Sequence, residues 1–293
     1  MKVLSFSNEA ETEKTEVTLL LGNFDGLHIG HKTLIDCAKS FKRPMAIVTF
    51  KNLCRDGYVK SVEERILEYE RMGFDYTILL DYDEIKTLTG DEFLTKLLGK
   101  FNIKHMVCGE DFKICGKTAD EIEQFVYGQN IWCTVLSLTS LTNQRLSSSN
   151  IKRMLKNGNI EQANRLLLED YSIYSTVIHG NRIGRTINYP TINIALNPFK
   201  VELKNGVYLV YTYINDIKYY GIANYGTKPT VNENSKNLEI YLLDFNQNVY
   251  GEKLEVYFVK YLRSTKKFDS LEELRRQIDI DVDNARDIIN ERE

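Results

Sequence analysis

The sequence predicts two domains of different fold class: an α/β domain with a doubly wound parallel sheet, then an antiparallel β-barrel with a C-terminal helix. The first observation is length, because 293 residues suffice for about two domains with separate cores. In the first half, apolar strand-like runs alternate with helix-like segments, which implies parallel strands joined by right-handed crossovers. In the second half, runs of alternating apolar and polar residues follow one another without helices, which favours an antiparallel barrel.

Five apolar runs predict the strands of the first half: residues 17–21, 45–50, 76–80, 105–108 and 132–136. The segments between them predict helices that begin at the histidine pair His28 and His31 and that cover residues 61–72, 89–101 and 121–127. Ser61 and Glu64 form a capping-box pattern, which is typical of a helix start. Parallel sheets of this kind bind ligands at the carboxyl ends of their strands, which is where residues 22–31 fall.

Period-two runs predict the strands of the second half: residues 171–178, 206–214, 218–223, 238–244 and 253–262. A second capping-box pattern, Ser270-x-x-Glu273, predicts a last helix that ends near Asn290. Two short helices are predicted between the halves, at residues 151–155 and 160–168. We therefore expect the first domain to cover residues 1–168 and the second to cover residues 169–293.

Composition excludes several classes of protein. The net charge is −3, so the chain offers no basic surface of the kind that binds nucleic acid. It has no apolar run of the ~20 residues that cross a bilayer, and its N-terminus lacks the regions of a signal peptide. The five cysteines are scattered, with no Cys-x-x-Cys pair, which is typical of reduced thiols. We expect a cytoplasmic protein that binds neither nucleic acid nor membrane.

Residues 22–31 read Gly-Asn-Phe-Asp-Gly-Leu-His-Ile-Gly-His and directly follow the predicted strand 17–21. This pattern predicts a buried strand, a turn of small residues, and a helix that starts at two histidines. The exposed amides of a helix N-terminus, with imidazole donors beside them, are suited to binding nucleotide phosphates. The spacing places His28 and His31 on one face of the first helical turn.

Two other interpretations of paired histidines are weaker here. A zinc-binding helix needs a four-residue spacing with a glutamate between the histidines, together with further ligands, and the sequence has neither. Two ordinary surface histidines are the other alternative. The glycines Gly22, Gly26 and Gly30, which follow a strand, favour the phosphate site instead.

A second candidate phosphate site is the serine run at Ser147, Ser148 and Ser149, where a predicted helix begins. Its hydroxyls can cap the helix or bind phosphate oxygens, and Lys152 follows one turn later. A plain helix cap explains the serines equally well, so the residues alone leave both interpretations open.

The first motif resembles the His-x-Gly-His signature of the nucleotidyltransferase superfamily. Its fuller form, Gly-x-Phe-Asp-Gly-x-His-x-Gly-His, resembles the adenylyltransferase half of the bacterial bifunctional riboflavin kinase/FAD synthetases. The resemblance implies a Rossmann-like nucleotidyltransferase domain in which His28 and His31 are catalytic and Asp111 binds flavin. It also implies contacts with ATP at Gly22, Phe24, Asp25, Gly30, Ser147, Ser148 and Lys152.

Two segments depart from the family pattern. Where the family has Thr-Phe-Asp-Pro-His-Pro, residues 49–54 are Thr-Phe-Lys-Asn-Leu-Cys. The family segment Gly-x-Asp/Asn-Phe-x-Phe-Gly, with a following loop, is shortened at residues 109–116 to Gly-Glu-Asp-Phe-Lys-Ile-Cys-Gly. Lys152 stands where the family has arginine, which keeps the charge but loses the bidentate fork. An alternative is therefore a riboflavin kinase with a degenerate adenylyltransferase domain.

Residues 184–193, Gly-Arg-Thr-Ile-Asn-Tyr-Pro-Thr-Ile-Asn, resemble the riboflavin kinase signature Gly-Arg-x-x-Gly-Phe-Pro-Thr-Ala-Asn. Pro190 fixes the backbone so that Thr191 and Asn193 can turn their oxygens the same way. A hydroxyl and an amide carbonyl are hard ligands that suit Mg²⁺. We expect this pair to hold a magnesium ion that accompanies ATP.

Glu239 lies in a predicted strand, on the face opposite Leu238 and Ile240. The resemblance implies that Glu239 is the general base for the ribityl 5′-hydroxyl, and a solvated strand glutamate is the alternative. Further motifs of the second half match the family in order and spacing. They imply contacts with ATP at Gly180, Gly184, Arg185 and Tyr250, and contacts with flavin at Asn224 and Arg263.

Together the motifs predict an enzyme that phosphorylates riboflavin with ATP and then adenylylates FMN to FAD, with Mg²⁺ as cofactor. Its expected partners are riboflavin, FMN and ATP. A class I aminoacyl-tRNA synthetase is a further alternative because of the His28-Ile-Gly-His31 sequence, but the acidic balance offers no surface for tRNA. A non-catalytic flavin-binding regulator is expected to lack Glu239 or the Thr191 and Asn193 pair, and this chain has all three.

Overall fold

The structure is a computed structural model that describes residues 1–8, 12–52, 56–137, 147–179, 189–227 and 236–292. The chain divides into two compact units, Met1–Ser148 and Ser149–Glu293. Two helices predicted between the halves, α6 (Ser148–Lys156) and α7 (Ile160–Leu166), fall almost wholly in the second unit. The functional boundary between residues 168 and 169 stays a prediction. Among the described residues, no helix is long and apolar enough to cross a membrane.

The strands of the first unit are β1 (Lys2–Ser5), β2 (Glu13–Leu21), β3 (Met45–Phe50), β4 (Tyr76–Leu80), β5 (Phe101–Gly109), β6 (Lys113–Ile114), β7 (Lys117–Thr118) and β8 (Trp132–Leu136). Its helices are α1 (Ile29–Ser40), α2 (Val62–Arg71), α3 (Tyr82–Ile85), α4 (Gly90–Lys100) and α5 (Ala119–Val126). Six strands form a parallel sheet in the order β1-β4-β3-β2-β5-β8, and β6 pairs with β7 in a separate hairpin. The predicted doubly wound parallel sheet is confirmed.

The strand order of this sheet reverses between β2 and β5. From β2 the chain proceeds through β3 to β4 on one side, and it returns to form β5 on the other side of β2. Open parallel sheets bind ligands at the carboxyl ends of the two strands that flank such a reversal. Those ends are Leu21, which precedes residues 22–31, and Gly109, which lies two residues before Asp111.

Burial and capping explain why these segments form the layers of the first unit. Residues 17–21 of β2 are all buried, as expected of a parallel strand that helices cover on both faces. Ser61, Thr89 and Thr118 each form a capping box with a glutamate three residues later, at the starts of α2, α4 and α5. The sequence therefore encodes these helix starts locally.

The strands of the second unit are β9 (Ser172–Ile178), β10 (Ile192–Ile194), β11 (Gly206–Ile214), β12 (Ile217–Thr227), β13 (Lys236–Leu242) and β14 (Lys253–Arg263). They close into a barrel in the order β10-β13-β12-β11-β14-β9, and every pair is antiparallel. The helix α8 (Leu271–Asn290) follows. The predicted antiparallel barrel and C-terminal helix are confirmed.

Alternate residues of the barrel strands face two different environments. Tyr208, Ala223 and Phe258 are fully buried and fill the barrel interior. The intervening residues on the outer surface pack against Ala285 of α8, namely Val207, Leu209, Ile222 and Val259. The helix α8 therefore covers the outer face of β11, β12 and β14.

Four predicted strands match the structure residue for residue: 45–50, 76–80, 132–136 and 206–214. Four short features were not predicted from the sequence, because segments of four residues or fewer carry no periodic pattern: β1, β10, α3 and the β6–β7 hairpin. β12 continues past its predicted end because Asn224 and its neighbours pair with strands on both sides. β13 stops before its predicted end, and Asp244 just beyond it has a φ of +56°.

Candidate active sites

The motif after β2 forms a tight turn that favours glycine at its first position. A Cβ atom on Gly22 would lie 2.6 Å from the ring of Phe24. Phe24 has a φ of +42°, in the left-handed region, and its side chain is buried. The ring therefore packs over Gly22 while the chain turns toward His28, where α1 begins.

Asp25 is buried in this turn and braces it. Its Oδ1 accepts the N–H of Val59 at 3.0 Å, and its carbonyl oxygen accepts the N–H of Lys60 at 3.1 Å. Tyr69 of α2 donates its hydroxyl hydrogen to the carbonyl oxygen of Phe24 at 2.6 Å. These bonds fix the backbone of the turn. The contact of Asp25 with ATP stays a prediction.

His28 and His31 lie side by side at the start of α1, and the buried Gly30 lies between them in the chain. Their rings stack with centroids 3.6 Å apart, and the ring of Phe24 meets His31 edge-on at 4.9 Å. His28 is 3% exposed, and no described residue forms a hydrogen bond with its Nδ1. A buried polar atom without a partner is costly, so this nitrogen is suited to contact a ligand.

Both histidines are neutral at pH 7 in the free protein. Burial lowers the pKa of His28 to about 4, and the carboxylate of Asp111 opposes this shift. Burial and the adjacent His28 hold the pKa of His31 well below 6.5. Each neutral imidazole keeps one N–H donor. A bound triphosphate would raise both pKa values, because nearby negative charge favours the imidazolium form.

Asp111, just beyond β5, lies close enough to His28 to affect its pKa. The strand reversal thus brings together two residues that the sequence predicts in one site. The shortened family segment that follows forms the β6–β7 hairpin. Its turn residues Cys115 and Gly116 have φ values of +47° and +83°. Two positive φ values are typical of the two-residue turns that join antiparallel strands.

The other divergent segment, at the end of β3, is bound to the start of α3. Lys51 Nζ lies 2.9 Å from Asp81 Oδ2, and the side-chain amide of Asn52 donates to Asp81 Oδ1 at 2.6 Å. Asn52 Oδ1 accepts the N–H of Tyr82 at 2.7 Å. Residues 53–55 lie outside the described residues. The two described replacements therefore serve as a brace between β3 and α3.

The serine run lies at the start of α6. Ser148 is the first residue of this helix, Ser147 precedes it, and both are half-buried. Lys152 is also half-buried, about one turn further along the helix. The contacts of these three residues with ATP stay predictions.

Three predicted kinase residues form one row across the barrel. Glu239 of β13 pairs directly with Asn193 of β10 on one side and with Asn224 of β12 on the other. Direct register partners point to the same face of a sheet, typically with Cβ atoms about 5 Å apart. This face is the outer one, because the neighbours Leu238 and Ile240 are fully buried in the interior. The row therefore places a carboxylate and two amides side by side on the outer face of the barrel sheet.

The magnesium motif, our name for residues 189–193 with the predicted ligands Thr191 and Asn193, ends at the buried member of this row. Asn193 is 3% exposed, and its Oδ1 has no hydrogen-bond partner in the part of the chain that the structure describes. Thr191 is half-buried and precedes β10. Glu239 Oε1 accepts a side-chain N–H of Asn237 at 2.8 Å, which orients the carboxylate. Across the same described residues, no group of three His, Cys, Asp or Glu side chains is arranged to hold a metal ion.

Arg263 extends the row to the edge of α8. Val207 pairs with both Asn224 and Arg263. The guanidinium of Arg263 donates to both carboxylate oxygens of Asp281, at 2.8 Å and 2.6 Å. This bidentate pair anchors α8 beside the row. The contact of Arg263 with flavin stays a prediction.

A second bond joins the magnesium motif to α8. Tyr189 donates its hydroxyl hydrogen to Asp279 Oδ1, and its ring meets Tyr241 edge-on at 4.9 Å. Burial and the bond to Asp279 raise the pKa of Tyr189 to about 12. The family signature has phenylalanine here, which lacks the hydroxyl that forms this bond.

Tyr250, the predicted contact of the ATP base, stacks on the ring of His179 with centroids 4.1 Å apart. One face of Tyr250 is therefore covered by a side chain to which the sequence analysis assigned no role. The predicted ATP contacts that follow His179, which are Gly180, Gly184 and Arg185, lie outside the described residues.

Comparisons with known proteins cover both units. A family model described as riboflavin kinase matches residues 167–289, and one described as FAD synthetase matches residues 10–150. The chain is 33% identical to the bifunctional riboflavin kinase/FMN adenylyltransferase of Bacillus subtilis, over 93% of this chain and 92% of that protein. The chain belongs to this family. The Haemophilus influenzae protein of the same name is 32% identical, over 93% of this chain and 94% of its own length.

A solved structure has the same fold along nearly the whole chain. It is described as a macrolide-efflux protein from Streptococcus pneumoniae, and it has a TM-score of 0.86 at 27% identity. The match covers 98% of this chain and 99% of that chain. The efflux function in its description is said of that protein alone, and what the two chains share is the fold.

A set of buried polar residues lies beside the first site and was not predicted from the sequence. Glu64, Arg65, Glu68 and Tyr69 of α2 are all buried, as is Lys60 just before the helix. The available signal was the pattern of α2, in which charged residues occupy positions where a helix on a sheet normally has apolar ones.

Proposed function

We propose that this chain phosphorylates riboflavin to FMN with ATP and then adenylylates FMN to FAD, with release of pyrophosphate. The observation that carries the kinase step is the row in which Glu239 lies between Asn193 and Asn224. The stacked, neutral pair of His28 and His31 supports the adenylyl step. Adenylyl transfer is assigned to the first domain and riboflavin phosphorylation to the second.

In the kinase step, Thr191 and Asn193 would hold Mg²⁺ through a hydroxyl and an amide oxygen. The buried Oδ1 of Asn193, without a partner among the described residues, fits this role. When bound with ATP, the ion supplies neutralisation of phosphate charge. Glu239 accepts the proton of the ribityl 5′-hydroxyl as that oxygen attacks the γ-phosphorus. The bond from the γ-phosphorus to the bridging oxygen breaks, and ADP leaves.

The same row suggests how riboflavin is oriented. Asn224 lies directly beside Glu239, so a flavin held at Asn224 brings its ribityl chain to the carboxylate. Arg263 would contact the flavin from the far end of the row, next to α8. Proposed contacts of this site with ATP are Gly180, Gly184, Arg185 and Tyr250.

In the adenylyl step, a phosphate oxygen of FMN attacks the α-phosphorus of ATP, and the bond to the pyrophosphate oxygen breaks. His28, His31 and the first-turn amides of α1 donate hydrogen bonds to the charge that develops on the phosphates. Asp111, close to His28, would contact the flavin nucleotide. The other proposed contacts with ATP are Gly22, Phe24, Asp25, Gly30, Ser147, Ser148 and Lys152.

Incubation of the purified chain with riboflavin, ATP and Mg²⁺, followed by chromatographic separation of FMN and FAD, tests the proposal. We expect both products, with FMN formed first. FMN that never proceeds to FAD would leave riboflavin kinase activity alone, an alternative that the FAD synthetase match over residues 10–150 does not favour. Formation of neither product would contradict the proposal as a whole.

A further inference from the structure

An ion pair lies in the interior of the first unit, behind the turn that leads to the histidines. Lys60 Nζ and Glu68 Oε1 are 2.8 Å apart, and both side chains are 0% exposed. Glu68 belongs to α2, and Lys60 precedes the N-cap residue Ser61 of that helix. Removing two charges from water costs several kcal/mol per ion, so such a pair is weak evidence for stability. The role of the pair must therefore lie in the neighbouring groups that it holds in place.

The pair contacts the turn of residues 22–28 directly. The second carboxylate oxygen of Glu68, Oε2, accepts the N–H of Leu27 at 3.3 Å. Leu27 immediately precedes His28, the N-cap residue of α1. The backbone N–H of Lys60 also donates to the carbonyl oxygen of Asp25 at 3.1 Å. Lys60 and Glu68 thus form hydrogen bonds with the backbone of the turn on both sides of Gly26.

Two further residues extend this buried polar face of α2. Arg65 donates to the carbonyl oxygen of Phe50, the last residue of β3, at 2.8 Å, and also to Oγ1 of Thr49. Tyr69 donates to the carbonyl oxygen of Phe24 at 2.6 Å. The face therefore bonds the end of β3 and the turn after β2 to one helix.

Directional bonds distinguish this arrangement from ordinary core packing. Apolar side chains would bury the same surface but would leave the turn free to shift by small amounts, because the hydrophobic effect is non-directional. The carboxylate of Glu68 instead fixes the Leu27 amide at a defined distance, and the Lys60 ammonium supplies the opposite charge in the interior.

We propose that Glu68 is a positioning residue for adenylyl transfer. Its carboxylate, which Lys60 neutralises in the interior, holds the Leu27 amide, and through it the first turn of α1, where His28 and His31 meet the phosphates of ATP. This inference rests on the proposed function of the first site. A misplacement of about 1 Å at a reacting group costs on the order of 10²-fold in rate, so the support of this turn acts mainly on kcat.

Two double variants test the proposal. Replacement of one partner alone would take from the other a close opposite charge in the interior and destabilise the fold, so both residues are changed together. The variant K60M/E68L removes the ion pair and the acceptor of the Leu27 N–H. Its matched control K60M/E68Q also removes the ion pair but keeps an oxygen where the Leu27 N–H needs one. For K60M/E68L we expect kcat for FAD formation from supplied FMN to fall by about 10- to 100-fold, with a smaller change in KM.

The control variant should recover most of the wild-type kcat. Hydrogen exchange of the segment 22–31 gives a readout that is independent of activity: the Leu27 amide should exchange faster in K60M/E68L and keep its protection in K60M/E68Q. The riboflavin kinase rate of the same preparations should be unchanged in both variants. Urea unfolding should show a folded first unit in both variants, with K60M/E68L the less stable of the two because its buried Leu27 N–H has lost its acceptor.

Three outcomes would overturn the inference. The first is a wild-type kcat and a protected Leu27 amide in K60M/E68L. The second is an equal loss in K60M/E68L and K60M/E68Q, which would mean that the acceptor oxygen is not the important group. The third is loss of protection throughout α2 in both variants, which would assign the pair to folding alone. If the wild type forms FMN but no FAD, the proposed function of the first site fails, and the exchange comparison still decides whether the acceptor oxygen of Glu68 holds the turn.

Discussion

The two candidate sites are constructed in different ways. In the first unit, the histidines lie on a turn and a helix start, and side chains of α2 hold that turn from behind through hydrogen bonds. In the second unit, Asn193, Glu239 and Asn224 lie on adjacent strands, and backbone pairing alone places them in one row. We therefore expect substitution of buried residues away from the ligand to change the activity of the first site. The activity of the second site should depend mainly on the residues of the row itself.

The largest expected effect tests the row. We expect Glu239→Gln to lower kcat for FMN formation by about 10²- to 10⁴-fold, the usual contribution of a general base. FAD formation from supplied FMN should not change. Glu255→Gln is a matched control, because Glu255 is another half-buried strand glutamate and bonds to Ser172 instead. A wild-type rate of FMN formation in Glu239→Gln would remove the basis for treating the row as a catalytic site.

The second prediction concerns the role of the turn of residues 22–28 in FAD formation. His28→Gln should lower FAD formation by about 10²- to 10³-fold, because the flexible amide does not hold its N–H where the imidazole holds a donor to the charge that develops on the phosphates. Riboflavin phosphorylation by the same variant should be unaffected. His105→Gln serves as the control, since His105 of β5 is also buried but bonds to Thr134 and stacks on Phe41. Equal losses in the two variants would point to general damage to the sheet.

A pH effect should distinguish the first unit from the second. The pKa of His28 is about 4 in the folded chain, whereas an unperturbed histidine, as in the unfolded chain, has a pKa of 6.5. Between these two pH values the unfolded chain therefore binds more protons than the folded chain. The free energy of unfolding of the first unit should therefore be highest above about pH 6.5 and fall as the pH decreases toward 4. Protonation of His28 should account for about 3 kcal/mol of this decrease in the free energy of unfolding, at 1.36 kcal/mol per pKa unit. Urea unfolding of the wild type and of His28→Gln, compared across this range, should show a smaller pH dependence in the variant; equal dependence would refute this account.

The magnesium requirement tests one end of the row. Asn193→Ala should raise the free Mg²⁺ concentration for half-maximal kinase rate by at least the roughly 10- to 100-fold that loss of an outer-shell partner costs. The Mg²⁺ requirement of FAD formation should stay as in the wild type. Asn197→Ala is the control, because Asn197 is exposed and its Oδ1 accepts the N–H of Phe199. An unchanged Mg²⁺ requirement in Asn193→Ala would contradict the assignment of this residue as a ligand.

The smallest expected effect concerns the link to α8. Tyr189→Phe restores the family residue and removes the bond to Asp279, so the free energy of unfolding of the second unit should fall by about 1 kcal/mol. Tyr213→Phe, at a half-exposed tyrosine, should leave that free energy unchanged. Thermal unfolding of both variants measures the difference. If the two variants are equally stable, the bond of Tyr189 contributes nothing to the attachment of α8.

Much of the architecture could be predicted because its signals are local. Apolar runs place the sheet strands, and the capping residue Ser61 marks the start of α2. The motif around His28 and His31 identifies a site because a strand, a turn and a helix follow one another in a short segment. The approach of Asp111 to His28 depends on the strand order, which the predicted class allows but which no short segment contains.

The remaining residues escaped prediction because their partners are distant in the sequence. The sequence alone suggests that Glu68 is a solvated helix residue, whereas the structure shows that it is buried and contacts Lys60 and Leu27. Asp279 and Asp281 likewise lie on a helix rich in charge, and only the folded chain shows their bonds to Tyr189 and Arg263. Local pattern reveals which face of a helix is apolar, but it does not reveal which charges are neutralised in the interior.

The closed barrel has a consequence for how the kinase half can change during evolution. Each strand of the closed barrel pairs with a neighbour on both sides, so an inserted or deleted residue changes its register with two strands at once unless a β-bulge accommodates it, as between β11 and β14. Loss of one residue from β13 ahead of Glu239 would turn its carboxylate into the packed interior now filled by Leu238 and Ile240. Substitutions should therefore accumulate in β13 while its length stays constant, and insertions should be confined to the connections between strands.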